Sequence, residues 1–340
     1  MIGARFYWPL RFSRWRAPAT AEPGFTLLLP VPGDLPVFLD LALKVCVLQQ
    51  SPSRAATLVI PDLRTPSIER ITERYRSRWS GPLEVVDLPR PERALLPRLK
   101  DPGRNHGVQL IAGVQASRTS HIVLHDADLF LLDPGAHEQQ YRLAERDGLA
   151  ALGVSPPWDP WYEQHGLHLA ATWELCARVD WLRSVPPHRH LGHDADMFGE
   201  RHTFDTTFWA QARTPPHRLA VHGLGGGLIH FNYVISAYRA FQRSSGSFRD
   251  DRYRLLLIRV LIDLFDEDQA IYDVPSLETL AAGLRDPAAR VSYVGAETQV
   301  YASFRRQLEG ILAGPWSEPG LATRTRAALA PFDEYLSYAS

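Results

Sequence analysis

Two carboxylates separated by one small residue are the clearest sign of chemistry in this sequence. Asp126 and Asp128 follow the apolar run 122–124 and precede a second apolar run that ends at Pro134. Side chains two residues apart in an extended segment point the same way, and an unpaired buried carboxylate is costly. Two hard oxygen donors at a strand end therefore predict a site for Mg²⁺ or Mn²⁺, which in turn holds a diphosphate. The alternative is that both are turn residues or helix caps after a core strand.

Other polar residues further along the chain also suit a reactive site. Asp205 lies at the start of a predicted helix, where the alternative to a catalytic role is an N-cap. His230 alternates with apolar neighbours as in a strand, so we expect its imidazole to point inward, with His222 as the alternative. His193-Asp-Ala-Asp196 repeats the letters around the first pair, but no apolar strand leads into it. It falls in the polar stretch 186–202, which predicts an irregular loop instead of a metal site.

The segments before the acid pair alternate between buried strands and helices. Strands are predicted at Phe25–Val31, Ala56–Ile60 and Leu83–Leu88. Helical periodicity is found at Leu35–Gln50 and at Thr65–Trp79. This β-α-β-α-β order predicts an α/β fold with a mostly parallel, Rossmann-like sheet flanked by helices.

The position of the acid pair in this order predicts where it lies on the sheet. A predicted helix, Val108–Ser117, follows Asn105-His106-Gly107 and leads into the strand before the two acids. The pair thus stands at the end of about the fourth strand. In open α/β sheets, ligands bind in the crevice outside the carboxyl ends of the strands.

Composition excludes several classes of protein. The chain has 340 residues and a formal net charge of −1, so it is long enough for a large α/β domain and has no global field that favours nucleic acid. Its two cysteines, Cys46 and Cys176, predict buried thiols and neither a disulfide framework nor a zinc site. No apolar run approaches the length of a membrane span. The first residues lack a secretory pattern, so we expect a cytoplasmic protein.

The layout resembles the GT-A class of nucleotide-sugar glycosyltransferases, of the family-2-like kind, over residues 25–245. The motifs that carry the resemblance are Phe25-Thr-Leu-Leu-Leu-Pro-Val31, Ala56-Thr-Leu-Val-Ile-Pro-Asp62, Asn105-His-Gly107, His125-Asp-Ala-Asp128, Phe204-Asp-Thr206 and His230-Phe231. The resemblance implies that the first half of the sheet holds a UDP- or GDP-sugar donor. It also implies Mn²⁺ or Mg²⁺ on the Asp-x-Asp motif, and a later carboxylate that faces a small-molecule, glycan or peptide acceptor.

On the donor side, the resemblance carries over to five positions. Asp126 and Asp128 match the metal motif, with Asp126 also beside the donor. Pro30, Val31 and Asp62 match positions that line the base and the ribose. A nucleoside diphosphate gathers negative charge as the sugar bond breaks, and a divalent cation neutralises that charge.

Further positions complete the expected site. Asn105 matches a position near the donor. Independently of the resemblance, Arg104 or Lys100 on the loop before the predicted helix would add positive charge that helps to neutralise the diphosphate. Asp205 matches the carboxylate on the acceptor side. In an inverting enzyme it would be the general base, whereas a retaining enzyme would not use it that way, and the sequence leaves both mechanisms open. The usual acidic pair at that position is reduced here to Phe-Asp. His230 is the implied third metal ligand.

The expected organisation has three parts. Residues 1–24 form a basic and aromatic strap, residues 25–245 a catalytic domain and residues 246–340 a helical extension. Within the catalytic domain, residues 25–134 form the nucleotide-binding half and residues 135–245 the acceptor half.

Two segments outside the predicted catalytic domain leave alternatives open. The strap predicts either a weak contact with a membrane surface or an arm whose aromatic rings pack on the domain. The apolar helix predicted at Arg252–Phe265 is either a core helix or the face of a homodimer.

Three other functions share parts of this pattern. A phosphatase or mutase of the haloacid-dehalogenase type also uses Asp-x-Asp after a strand, but its motif follows the first strand and has Thr or Val where this chain has Phe130. A sugar nucleotidyltransferase requires a Gly-rich, basic loop after the first strand, where this chain has Pro32-Gly33-Asp34. A non-catalytic nucleotide-sugar-binding protein would use the same sheet. The sequence predicts the transferase, with the last two functions as alternatives.

Overall fold

The computed structural model describes residues 14–15, 21–89, 92–94, 96, 102–224, 227–266, 270–316 and 320–336. The strands are β1 (Glu22–Val31), β2 (Arg54–Pro61), β3 (Leu83–Val85), β4 (Thr119–His125), β5 (Leu129–Leu131), β6 (Ala151–Gly153), β7 (Glu174–Arg178), β8 (His193–Met197), β9 (Glu200–Phe204), β10 (Leu219–Val221) and β11 (Leu228–His230). The helices are α1 (Pro36–Val47), α2 (Pro66–Arg76), α3 (Pro102–Ala116), α4 (Ala136–Arg146), α5 (Pro160–Gln164), α6 (Val179–Ser184), α7 (Phe208–Gln211), α8 (Val234–Arg243), α9 (Arg252–Phe265), α10 (Leu277–Ala282), α11 (Thr298–Leu312) and α12 (Leu321–Tyr335).

Seven strands form one mixed sheet in the order β10-β6-β7-β4-β1-β2-β3. Strand β7 runs antiparallel to both of its neighbours, β4 and β6, whereas the other pairs are parallel. The predicted α/β class with a mostly parallel sheet is therefore confirmed. Two small antiparallel pairs, β5 with β11 and β8 with β9, lie outside the main sheet.

The central strand β1 is buried on both faces, as its nearly continuous apolar sequence predicts. Leu27 and Leu29 belong to one apolar core, and Leu28 between them belongs to the other. Helices α1, α2 and α4 cover the first face, and helices α3 and α6 cover the second. Since successive side chains of a strand alternate between faces, helices are needed on both sides of the sheet.

The C-terminal helices share the first of these cores. Leu280, Leu308 and Phe332, on α10, α11 and α12, are buried in the same cluster as Leu27 of β1. Helix α9 has the predicted bounds, and its apolar side chains are buried within the single chain. The prediction of a core helix at this position is thus confirmed. No described residues belong to a helix that is both long and apolar enough to cross a bilayer.

Several local predictions need correction. Helix α3 begins at Pro102, so Asn105-His106-Gly107 lies inside the helix and not before it. The stretch 186–202 is not an irregular loop: it contains a 3₁₀ turn, Pro187–His190, followed by the β8–β9 hairpin. Strand β3 is shorter than predicted and ends at Val85.

Most of the predicted strap lies outside the described residues. Trp15 is described, and its indole Nε1 donates a hydrogen bond to the carbonyl of Val185 at 2.7 Å. Strand β1 begins at Glu22, so the last residues of the predicted strap belong to the sheet.

Candidate functional site

A cavity of about 220 Å³ opens at the carboxyl ends of β1, β2 and β4. Residues from all three strand ends and from α3 and the β11–α8 connection contribute to it. Its walls include Pro30, Val31, Asp62, Asn105, His106, Asp126, Asp128, Trp158, Asp205, His230 and Tyr233. Most of the predicted site residues therefore face one space, which is the crevice that a sheet of this topology offers to a ligand.

The acid pair lies in the turn that joins β4 to β5. The amide of Asp126 donates to the carbonyl of Trp173 at 2.9 Å, which ends the β4–β7 pairing, and the amide of Leu129 donates to the carbonyl of Asp126 at 3.2 Å. The segment is thus a tight turn instead of the extended strand that we predicted. Asp126 and Asp128 nevertheless face the same cavity, so the turn itself presents both carboxylates to the site.

His230 approaches the pair from β11. This strand pairs with β5 and places His230 opposite Leu129. One carboxylate oxygen of each aspartate and one ring nitrogen of His230 lie within 4.8 Å of one another, and His230 Nε2 is 3.3 Å from Asp128 Oδ1. Its alternative, His222, is exposed just after β10.

Burial and electrostatic attraction have opposite effects on the pKa values of Asp128 and His230. Burial alone disfavours both charged forms, but the carboxylate of Asp128 raises the pKa of His230. The imidazole likewise lowers the pKa of Asp128 despite the burial of that carboxyl. Both shifts have the sign expected for an ion pair in a poorly solvated place.

His106 is part of the site although the sequence assigned it no role. Its Nε2 lies 3.0 Å from Asp126 Oδ1. Burial opposes the charged imidazole, yet Asp126, Asp205 and Asp128 together raise its pKa. The only sequence signal for His106 was its place between Asn105 and Gly107 in a motif of the family resemblance.

Asp62 on the donor side is held by the protein itself. Its Oδ1 accepts a hydrogen bond from the amide of Gly33 at 2.8 Å. Its Oδ2 accepts from Asn105 Nδ2 at 2.7 Å and from Arg239 Nη2 at 3.3 Å. Asp62 and Asn105 are both buried, so they form a rigid wall beside the ends of β1 and β2. Arg239, which comes from α8, was not predicted as part of the site.

Two cationic side chains were predicted on the loop before α3. Arg104 is half-buried in the first turn of α3, and its neighbours Gly103 and Asn105 line the cavity. Lys100 lies outside the described residues. A contribution of Arg104 to the charge of the site stays a prediction.

Asp205 also lines the cavity. Its Oδ1 accepts a hydrogen bond from the amide of Thr206 at 2.6 Å. It does not cap α7, because the N-cap residue of that helix is Thr207, in a left-handed conformation with φ of 65°. The predicted N-cap is therefore wrong, and Asp205 keeps an exposed carboxylate at the cavity wall.

Two largely exposed aromatic rings also line the cavity. Trp158 and Tyr233 are 51% and 55% exposed, with ring centroids 5.0 Å apart. Tyr233 has φ of 60° and follows Asn232 with φ of 50°, and such strained non-glycine backbone is common where function constrains the chain. By contrast, Trp161 stacks on His202 at 3.8 Å and serves packing.

Comparisons with known proteins give a low-level likeness only. No protein-family model and no curated protein matches the chain. Among solved structures, glucosyl-3-phosphoglycerate synthase from Mycobacterium tuberculosis, in complex with Mn²⁺, UDP and glucosyl-3-phosphoglycerate, is 14% identical with a TM-score of 0.40 over 66% of this chain and 82% of that chain. The mannosyltransferase PcManGT from Pyrobaculum calidifontis, in complex with GDP-Man and Mn²⁺, is 13% identical with a TM-score of 0.38 over 98% and 94%. TarS 1-349 from S. aureus is 12% identical with a TM-score of 0.38 over 92% and 89%.

Proposed function

We propose that this protein is a metal-dependent glycosyltransferase that moves a sugar from a nucleoside-diphosphate donor to an acceptor nucleophile. The observation that carries the proposal is the convergence of Asp126, Asp128 and His230 in the cavity at the carboxyl end of β4. Two carboxylates and one imidazole form a donor set that suits Mn²⁺ or Mg²⁺.

The residues fit such an ion in two respects. Their candidate ligand atoms lie within 4.8 Å of one another, and Asp128 and His230 are held at the base of the cavity by the β5–β11 pairing. When bound, the ion would supply Lewis-acid neutralisation of the diphosphate. The chain itself would bind the donor at the ends of β1 and β2, against the wall that Asp62 and Asn105 form.

The acceptor would bind beside Asp205. Asp205 is exposed to the cavity and would take the proton of the acceptor nucleophile as the bond between sugar and diphosphate breaks. The leaving diphosphate keeps the electron pair of that bond. The exposed rings of Trp158 and Tyr233 would cover one face of the acceptor, because aromatic rings pack well on sugar rings and other flat apolar faces.

A matched pair of variants tests the proposal. Asp128→Asn removes a charge from the proposed site, and Asp196→Asn makes the same change in the second His-Asp-Ala-Asp sequence, which lies on the exposed hairpin strand β8. Thermal unfolding would be measured with Mn²⁺ together with UDP, GDP or dTDP, because a ligand that binds only the folded state stabilises it. Release of nucleoside diphosphate from the matching sugar donor would be measured in parallel.

We expect one nucleotide to stabilise the wild type far more with Mn²⁺ than without it. Asp128→Asn should lose this stabilisation and the turnover while its unfolding in buffer stays cooperative, and Asp196→Asn should keep both. Nucleotide binding without any transfer or hydrolysis would favour a non-catalytic binding protein. Equal loss in the two variants would contradict the assignment of the acid pair.

A further inference from the structure

A second cluster of metal-ligating side chains lies behind the acid pair, on the other face of the sheet. His125 is the last residue of β4, and its side chain points away from the cavity into the core, toward Cys46 on α1 and His137 on α4. Glu174, the first residue of β7, lies beside them. All four residues are at most 1% exposed.

The geometry of the cluster is that of converging donor atoms. Cys46, His125 and His137 each offer one ligand atom within 4.8 Å of the others. Glu174 Oε2 lies 2.6 Å from His125 Nδ1 and Glu174 Oε1 lies 3.5 Å from His137 Nε2. The carboxylate thus hydrogen-bonds His125 and lies beside His137 Nε2 without bonding it. His125 Nε2 and His137 Nδ1 are left for another partner.

The hydrogen bonding in this cluster is incomplete. His125 Nε2, both ring nitrogens of His137 and Glu174 Oε1 are buried without a hydrogen-bond partner. Leaving such an atom unpaired is destabilising, and such atoms are rare in native cores. Burial, His125 and Arg54 lower the pKa of His137 well below its usual value, whereas Cys46 and Glu174 raise the pKa of His125 despite its burial.

We propose that Cys46, His125 and His137 bind a Zn²⁺ ion, with Glu174 orienting the two imidazoles. A thiolate with two imidazoles is a donor set that zinc prefers. A carboxylate that accepts the second N–H of a ligating histidine is a usual companion of such sites. The thiolate and the Glu174 carboxylate would together balance the two charges of the ion, which makes its burial tolerable.

The proposed zinc would join elements that are distant in sequence. It would tie α1 and α4 to the end of β4, immediately before the acid pair. The site is separate from the cavity, because His125 and Asp126 point to opposite faces of the sheet. Its existence therefore does not depend on the proposed transferase activity.

Metal content gives the first test. Protein produced with zinc in the medium and dialysed against EDTA would be analysed by mass spectrometry for all transition metals. We expect equimolar zinc in the wild type, because a fully buried ion exchanges slowly. We expect the same zinc in Cys176→Ala, which removes the other buried cysteine, and in Asp128→Asn, which alters the cavity site. Cys46→Ala should contain none.

Cobalt substitution gives a second test that does not depend on a variant folding. Wild-type protein refolded with Co²⁺ should show the near-ultraviolet charge-transfer absorption of a thiolate–cobalt bond, and Cys176→Ala should show it equally. Absence of tightly bound zinc from the wild type together with absence of this absorption would overturn the proposal. Equimolar copper in place of zinc, or equal zinc in Cys46→Ala, would overturn it too.

Discussion

His106 Nε2 lies 3.0 Å from Asp126 Oδ1, so an imidazole from α3 contacts a carboxylate that follows β4. On the other side of the turn, His230 makes the corresponding contact with Asp128 at 3.3 Å. Each aspartate of the pair is therefore flanked by one histidine. Groups that contact a metal-binding carboxylate fix its orientation, which assigns to His106 a positioning role next to the proposed ion.

We expect His106→Ala to raise the Mn²⁺ concentration for half-maximal activity about 10- to 100-fold, as loss of such outer contacts commonly does. His106→Gln should recover part of the affinity, because an amide N–H can still donate to Asp126. The control is His165→Ala, which removes a histidine 3.1 Å from Glu200 outside the cavity. An unchanged Mn²⁺ dependence in His106→Ala would contradict the positioning role.

The two candidate third ligands can be separated by parallel substitution. His230→Ala should weaken Mn²⁺ binding at least about tenfold, because its ring nitrogen lies with the carboxylates of Asp126 and Asp128. His222→Ala should leave binding unchanged, since His222 is exposed. Calorimetric titration of Mn²⁺ in the presence of nucleotide measures both. The reverse order of effects would exchange the two assignments.

Asp205 is expected to act on the acceptor and not on the donor. Asp205→Asn keeps the size of the side chain but cannot take up a proton, so the turnover number should fall about 10²- to 10⁴-fold. Donor affinity should change little, because Asp205 is not among the residues proposed to bind the donor or the metal ion. Steady-state kinetics with a fixed acceptor separate the two quantities. A variant with full turnover would leave Asp205 with a structural role only.

Stability should fall in mild acid because of His190. Its Nε2 donates to the carbonyl of Leu182 at 2.7 Å, and its Nδ1 is buried without a partner. Burial lowers its pKa from 6.5 to about 4, so its contribution is complete above pH 6.5 and is lost as the pH falls from there toward 4. The full loss is about 3 kcal/mol.

Denaturant unfolding at a series of pH values measures this loss. His190→Gln should be less stable than the wild type at pH 7, because it loses the packed ring, but should lose less further stability between pH 6.5 and 4. His217→Gln is the control, since His217 is exposed. Parallel pH profiles of the wild type and His190→Gln would show that other groups cause the acid lability.

The order of elements could be predicted from the sequence because apolar period and turn residues are local properties. Thr65 is an instance: the predicted Ser/Thr start of its helix is confirmed, and its hydroxyl accepts from the amide of Ile68 at 3.4 Å. Helix α3 was predicted too short because its first turns, with Asn105 and His106, are polar. Their side chains face the cavity, so an apolar pattern could not reveal them.

The members of each cluster were harder to predict than the elements. Cys46, His125 and His137 meet only because α1, β4 and α4 pack together, and their spacing matches no regular metal motif. The same holds for Arg239, which reaches Asp62 from α8. Contacts of this kind depend on tertiary packing, whereas Asp126 and Asp128 were found because both lie in one short stretch.

The pairing of β5 with β11 spans only three residues on each strand. Adjacent residues of a strand point to opposite sides, so sliding β11 by one residue would replace His230 at its position with Ile229 or Phe231. Such a shift would leave the main sheet and its two cores almost unchanged. The number of residues between β10 and α8 is therefore itself a determinant of cation affinity. A one-residue insertion there would remove the imidazole from the proposed metal site while the chain stays folded.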